Sequence, residues 1–273
     1  MEFAYRAWRL ASLGLVVTMV LVLQVPLAAK TPAAQPDQAN AVDLFQAIDN
    51  GQVDVKVIPK DSSQLRVMIE NKTDKPLTVM LPGAFAAVPI LAQAAAFAPA
   101  AARGAARNQQ PQAVGGGMPG GGMPGGGMPG GGGRGVGAGP LMNIAPEKVG
   151  QLMAVATVCL DYGKGEPRAA IPYAIKPIDG YTTQPGIREV CEMLGKGEIK
   201  QRVAQVCAWH LNNGLSWEKL AAKQLRFADG SSRPYFTSKE VQAAVKASDA
   251  AVQAAKQRAK GKDKPGSTLN KQS

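Results

Sequence analysis

Histidine is nearly absent: the chain of 273 residues has one, His210. That excludes a multi-histidine metal centre and any Ser-His-Asp site not built on His210. Aromatic residues make up only 5%, so the composition offers no large aromatic-lined cofactor cavity, and no cofactor is expected. Cysteine is scarce as well, with Cys159, Cys191 and Cys207 alone. In an oxidising compartment two of them can pair and leave one free, and their spacing does not say which. Three buried thiols acting as small apolar residues is the other reading. Acidic residues are too few to balance the chain, whose net charge is +11. Most of the excess lies in the N-terminal segment, the glycine-rich stretch and the lysine-rich end. There it supports weak contact of the basic tail with anionic surfaces, and no specific nucleic-acid groove.

Long hydrophobic runs are also missing, with one exception. Arg6 and Arg9 precede an uncharged run over residues 10–25, followed by Pro26, Leu27, Ala28, Ala29 and Lys30. A basic start, an apolar core and small residues form a secretory signal. The run has 16 residues, short of the roughly 20 that span a bilayer as a helix. Extending it to Ala29 reaches that length, and Leu27 is a poor residue just before a cleavage point, so an uncleaved signal anchor is the alternative. No cysteine near the junction marks a lipoprotein. Residues 1–29 are therefore a signal peptide or anchor, and the rest is expected to be periplasmic, extracellular or anchored at the inner membrane.

Residues 30–50 read as a linker and a short helix carried by Val42, Phe45 and Ile48 and stopped by Gly51. From residue 51 the apolar period becomes two. Val53, Val55 and Val57, then Leu65, Val67 and Ile69, then Leu77, Val79 and Leu81 alternate with polar residues between turn-forming separators. This predicts an antiparallel, sandwich-like β domain over 51–100. A helix is plausible in the alanine-rich stretch 90–98. Residues 101–140 are expected to be a disordered spacer: Gly-Gly-Gly-Met-Pro occurs three times, and 16 of the 25 residues from 115 to 139 are glycine. Such a chain loses more entropy on ordering than its side chains can offset. Residues 149–160 alternate with both faces largely apolar, as in a central strand. The spacer is thus either an insertion in a β domain completed by 147–162 or a linker between two domains.

Residues 163–230 turn helical. Ile187, Val190, Cys191 and Leu194 follow a helical period, as do Ile199, Val203, Val206, Cys207 and His210, ending at Asn212-Asn213-Gly214. Ser216 can cap a third helix. Thr237 and Glu240 form a capping-box pattern ahead of an amphipathic helix over 236–260, with Val241, Val245, Ser248, Val252 and Ala255 on one seam. Residues 261–273 are a disordered basic tail. The fold class expected is α+β, with a small β domain and a C-terminal helical cluster.

Chemistry has few places to reside. Cys207 and His210 lie three apart on one helical face and could form a thiol–imidazole hydrolase pair. With Cys159 and Cys191 they could instead hold zinc. No local signature supports either, and both fit the core of a helix contact. Val158-Cys159-Leu160, followed by Ala204-Gln205-Val206-Cys207-Ala208-Trp209, resembles the paired motifs of bacterial surface thioester domains. That resemblance implies an internal thioester between Cys159 and Gln205 that acylates an amine on another surface. Ala204 stands where that family usually has Thr, and Cys207 where it has Ala.

A broader resemblance rests on residues 70–77, Ala84-Phe85-Ala86-Ala87-Val88-Pro89, Val158-Cys159-Leu160-Asp161-Tyr162-Gly163-Lys164, Ala208-Trp209-His210-Leu211 and Leu215-Ser216-Trp217. It is to a family of secreted planctomycete-type proteins of unknown function with a glycine-rich insertion after the Phe-Ala-Ala-Val-Pro element. It implies export and no activity. The leading expectation is a non-catalytic extracytoplasmic module that binds an unknown protein or envelope component. Thioester attachment through Cys159 and Gln205 is the alternative, and a Cys207/His210 hydrolase comes third.

Overall fold

The computed structural model describes residues 40–90, 111–119 and 140–262. The targeting segment, most of the linker, the alanine-rich stretch from 91, the glycine repeats over 120–139 and the tail from 263 lie outside the described residues. Among the described residues no helix is long and apolar enough to cross a membrane.

The protein is α+β. The strands are β1 Val42–Asp43, β2 Val53–Pro59, β3 Gln64–Asn71, β4 Leu77–Met80, β5 Ala84–Pro89, β6 Val114–Gly117, β7 Leu141–Ile144, β8 Val149–Cys159, β9 Tyr173–Pro177, β10 Gln224–Arg226 and β11 Ser232–Pro234. The helices are α1 Leu44–Asp49, α2 Ile178–Tyr181, α3 Ile187–Gly195, α4 Gln201–Asn213, α5 Trp217–Ala222 and α6 Ser238–Lys262. Six strands close into a barrel in the order β2-β3-β8-β6-β5-β9, each paired antiparallel to its neighbours. Closure replaces the sandwich-like arrangement expected from the strand pattern, and it removes exposed sheet edges. A three-stranded sheet β1-β4-β7 covers one side of the barrel, and β10–β11 is a separate hairpin.

The alternating pattern sets the barrel interior. Val53, Val57, Leu65, Val67, Ile69, Phe85, Leu152 and Val155 are buried in one cluster. The opposite face of β5 and the end of β8 supply Ala84, Ala86, Val158 and Leu160 to a second cluster, shared with α3, α4 and α6. Helices and barrel thus share a core. Residues 149–160 return to the barrel between β3 and β6, so the glycine-rich stretch interrupts the β domain and does not link two domains.

Residues 163–230, expected to be a helical subdomain, also contain β9, which closes the barrel between β5 and β2, and β10. The spacer assignment needs correction at one end. Val114–Gly117 is a barrel strand, with every residue buried. Glycine is required there because α3 lies directly on it. A Cβ on Gly117 would meet the Cys191 carbonyl oxygen at 2.0 Å, and one on Gly195 would meet the Gly117 backbone at 2.5 Å. The entropy argument against ordering glycine holds for an isolated chain. Here strand pairing on both sides and a helix packed backbone to backbone offset it.

Side chains cap the starts of α1, α5 and α6, while α2, α3 and α4 start without one, and Val42, expected in the first helix, lies in β1. The Asp43 side chain accepts the Phe45 N–H at the start of α1, and Ser216 Oγ accepts the Lys219 N–H at α5. Thr237 N–H donates to Glu240 Oε2 at 2.8 Å while Glu240 N–H donates to Thr237 Oγ1 at 3.2 Å. Gly214 takes the left-handed conformation that ends α4. The buried stripe of α6 is Val241, Ala244, Ala247, Ser248, Ala251 and Ala255. Alanines take the places on the seam where Val245 and Val252 were expected, and they let α6 pack closely. The helix includes residues 261 and 262, which were expected to belong to the disordered tail.

Candidate functional site

The β3–β8 ladder ends at Ala156, the Thr157 N–H makes a last bond to the Ser63 carbonyl at 2.9 Å, and beyond it one edge of the strand end is open. Helix α4 takes over that edge. Gln201 Nε2 donates to the Thr157 carbonyl at 3.0 Å. One turn later, Gln205 Nε2 donates to the Cys159 carbonyl at 3.0 Å while its Oε1 accepts the Cys159 N–H at 2.8 Å. Asn212 Nδ2 donates to the Leu160 carbonyl at 2.7 Å. The match is geometric. Four helical residues advance about 6 Å, and two strand residues about 6.6 Å, so side chains at i and i+4 on the helix meet strand residues two apart.

Cys159 and Gln205, named together from the sequence, are therefore in contact, both buried at 2% and 5% exposure. Gln205 also lines a cleft of about 280 Å³. Ser62 and Ser63 form one wall, Gln201 and Arg202 another, and Tyr235 and Phe236 close it. The Asp61 carboxylate shapes the serine turn, accepting from Ser63 N–H, Ser63 Oγ and Gln64 N–H. Glu166 Oε1 pins it further, accepting the Ser62 N–H at 3.0 Å. Arg202 forks onto Glu240 at 2.6 Å and donates to the Tyr235 carbonyl, which fixes the closing segment.

Burial pushes the Cys159 thiol well above its ordinary range, and the Glu166 carboxylate adds to it, partly offset by the Ser62 hydroxyl. The group is a protonated thiol at neutral pH. The carboxyl of Asp161 accepts from Tyr181 Oη at 2.8 Å and from the Ala113 N–H at 3.1 Å, so it buttresses the strand end behind the cysteine.

Cys207 and His210 are committed elsewhere. Cys207 Sγ donates to the Ala244 carbonyl at 3.4 Å, and burial pushes its thiol up to about 11. His210 Nδ1 contacts the Leu215 carbonyl at 2.7 Å, and its ring stacks on Trp217 at 3.7 Å. Each side chain serves a helix contact, and they do not form a nucleophile–base pair. Cys191 lies on α3 against β6, its thiol pushed up to about 12 by burial. All three cysteines are free and buried, so the disulfide weighed from the sequence is not formed. Among the described residues no three His, Cys, Asp or Glu side chains converge as a metal site.

Sequence reasoning missed Ser62, Ser63, Gln201 and Tyr235. The i, i+4 pair Gln201 and Gln205 on an otherwise apolar helix face was the available signal, since buried glutamines need partners. No family model, curated protein or solved structure matches the chain.

Proposed function

We propose that this protein is an exported covalent-attachment module in which Cys159 and Gln205 condense to an internal thioester. The observation that carries the reading is the pair of hydrogen bonds between the Gln205 carboxamide and the Cys159 backbone, which keep the two buried residues in contact, with Gln205 on the wall of a cleft. The thiol sulfur attacks the carboxamide carbon, the C–N bond breaks, and the thiol proton leaves on nitrogen as ammonia. An incoming amine then attacks the same carbon, forming an amide with the Gln205 acyl group and returning Cys159 to the thiol. The enclosure that keeps the thiol protonated also keeps water from the thioester. The apolar start of the chain supports export, and the motif around Cys159 and Gln205 supports the attachment chemistry.

Intact mass of the full secreted chain tests this. The thioester makes it lighter by one ammonia, methylamine restores mass as an adduct at Gln205, and Gln205→Ala or Cys159→Ala abolishes both changes. An unmodified mass, with no adduct, overturns the proposal.

One observation favours a second reading. Gln201 makes the same kind of bond to Thr157, which has no thiol. On this reading both glutamines only stitch α4 to the open edge of β8, in a non-catalytic binding or envelope-associated module. The unmodified mass is its expected result.

A further inference from the structure

Next to the Gln205 cleft stands an aromatic cluster that neither reading uses. Trp209 sits one turn after Gln205 on α4. Its ring meets Tyr162 edge to face at 5.0 Å between centroids, and Tyr235 at 5.8 Å. The Lys223 ammonium lies among these rings, 4.9 Å from the Tyr162 centroid, 5.5 Å from Trp209 and 5.1 Å from Tyr235. The backbone of Lys223 is anchored, its carbonyl accepting the Tyr235 N–H at 2.8 Å. Its side chain has no carboxylate partner among the described residues. Its polar contact is Tyr162 Oη at 3.4 Å.

Three π faces around one ammonium are the chemistry that recognises alkylated or primary ammonium groups. The cage is open to solvent on the side of Tyr162, which is 37% exposed. A cation–π contact at an exposed site is weak enough to exchange. Tyr235 belongs both to the cage and to the cleft wall at Gln205, so the two sites share one ring.

We propose that Tyr162, Trp209 and Tyr235 form a binding site for alkylammonium groups, with Lys223 as its displaceable internal occupant, and that the amine acceptor of the Gln205 acyl group is gathered there. The binding half stands on the cage alone. The gathering half rests on the thioester reading.

The test uses the full chain and Lys223→Met, which keeps an apolar cover over Trp209 and removes the charge. Tetramethylammonium, which cannot be acylated, is titrated against the Trp209 indole N–H resonance at constant ionic strength. A saturable shift in Lys223→Met, about tenfold tighter than in the parent chain and lost on adding Tyr235→Leu, is expected. No saturable shift in Lys223→Met, or the same shift with Tyr235→Leu, overturns the cage. For the gathering half, chain that has lost ammonia is treated with cadaverine, a dication, and with hydroxylamine, uncharged at neutral pH. Lys223→Met should accelerate the cadaverine reaction several-fold and leave hydroxylamine unchanged. Equal effects on both nucleophiles overturn gathering. If ammonia is never lost, the thioester reading and the gathering half fall together, while the tetramethylammonium titration still decides the cage.

Discussion

Gly117→Ala is the sharpest test of how the helices sit on the barrel. The added Cβ would lie 2.0 Å from the Cys191 carbonyl oxygen and 2.8 Å from both N and Cα of Gly195. All three are backbone atoms, so no rotamer change relieves the clash. Helix α3 must move off β6 by roughly an ångström, opening the close-packed layer that holds Ile187, Val190, Cys191 and Leu194. Overpacking of this kind costs about 1–3 kcal/mol and occasionally more. The stiffer unfolded chain returns only about 0.4–1 kcal/mol. The net expectation is a loss of about 2 kcal/mol, which at this size lowers the melting temperature by about 2–4 °C per kcal/mol. Gly180→Ala is the matched control. It is an exposed position of the short helix α2 with nothing within 4 Å of its new Cβ, and should stabilise by up to about 1 kcal/mol. Urea denaturation of both variants against the parent chain reads the difference. A Gly117→Ala midpoint at or above that of the parent would refute the backbone contact between β6 and α3.

Asn71 is fully buried, and its Nδ2 donates to the carbonyls of Lys75, Ile144 and Ala145 while Oδ1 accepts from Thr73. Asn71→Ala strands those groups and should cost at least about 2 kcal/mol in urea denaturation. A thiol reagent at neutral pH should label none of Cys159, Cys191 and Cys207 in the native chain, because burial keeps all three protonated and covered. In denaturant it should label three if no thioester forms and two if Cys159 is acylated. Burial raises the Glu189 carboxyl above its ordinary value even with Arg258 at 3.0 Å. The folded chain then holds that proton more tightly than the unfolded one. Its contribution favours folding at low pH and is lost as pH rises from the ordinary carboxylate range through the raised value. Glu189→Gln should flatten that part of the stability–pH curve measured by urea midpoints, and an unchanged slope would count against it.

Most elements are readable from periodicity and caps. The alternation of Val53, Val55 and Val57 and of Leu65, Val67 and Ile69 marks β2 and β3. Ser216, Thr237 with Glu240, and Gly214 mark helix ends at the observed places. Strand β6 was illegible because glycines carry no hydrophobic signal: their role comes from what approaches them. Strand β4 was recognised as a strand, but its partners β1 and β7 lie on either side of it in sequence and leave no local trace. The Cys159–Gln205 pair was nameable only as a motif. The bonds that join them depend on where β3 stops pairing with β8.

What the sequence by itself determined is local: the strand and helix segments, their caps, the apolar faces, and a lone histidine that limits the available chemistry. Each follows from spacing along one stretch of chain. Tertiary structure decided the closed barrel, the ordering of Val114–Gly117, the separate commitments of Cys207 and His210, the meeting of the Gln205 carboxamide with the Cys159 backbone, and the gathering of three rings around Lys223. Those depend on which distant segments approach one another, and burial and unpaired backbone groups decide that only when the whole chain is packed.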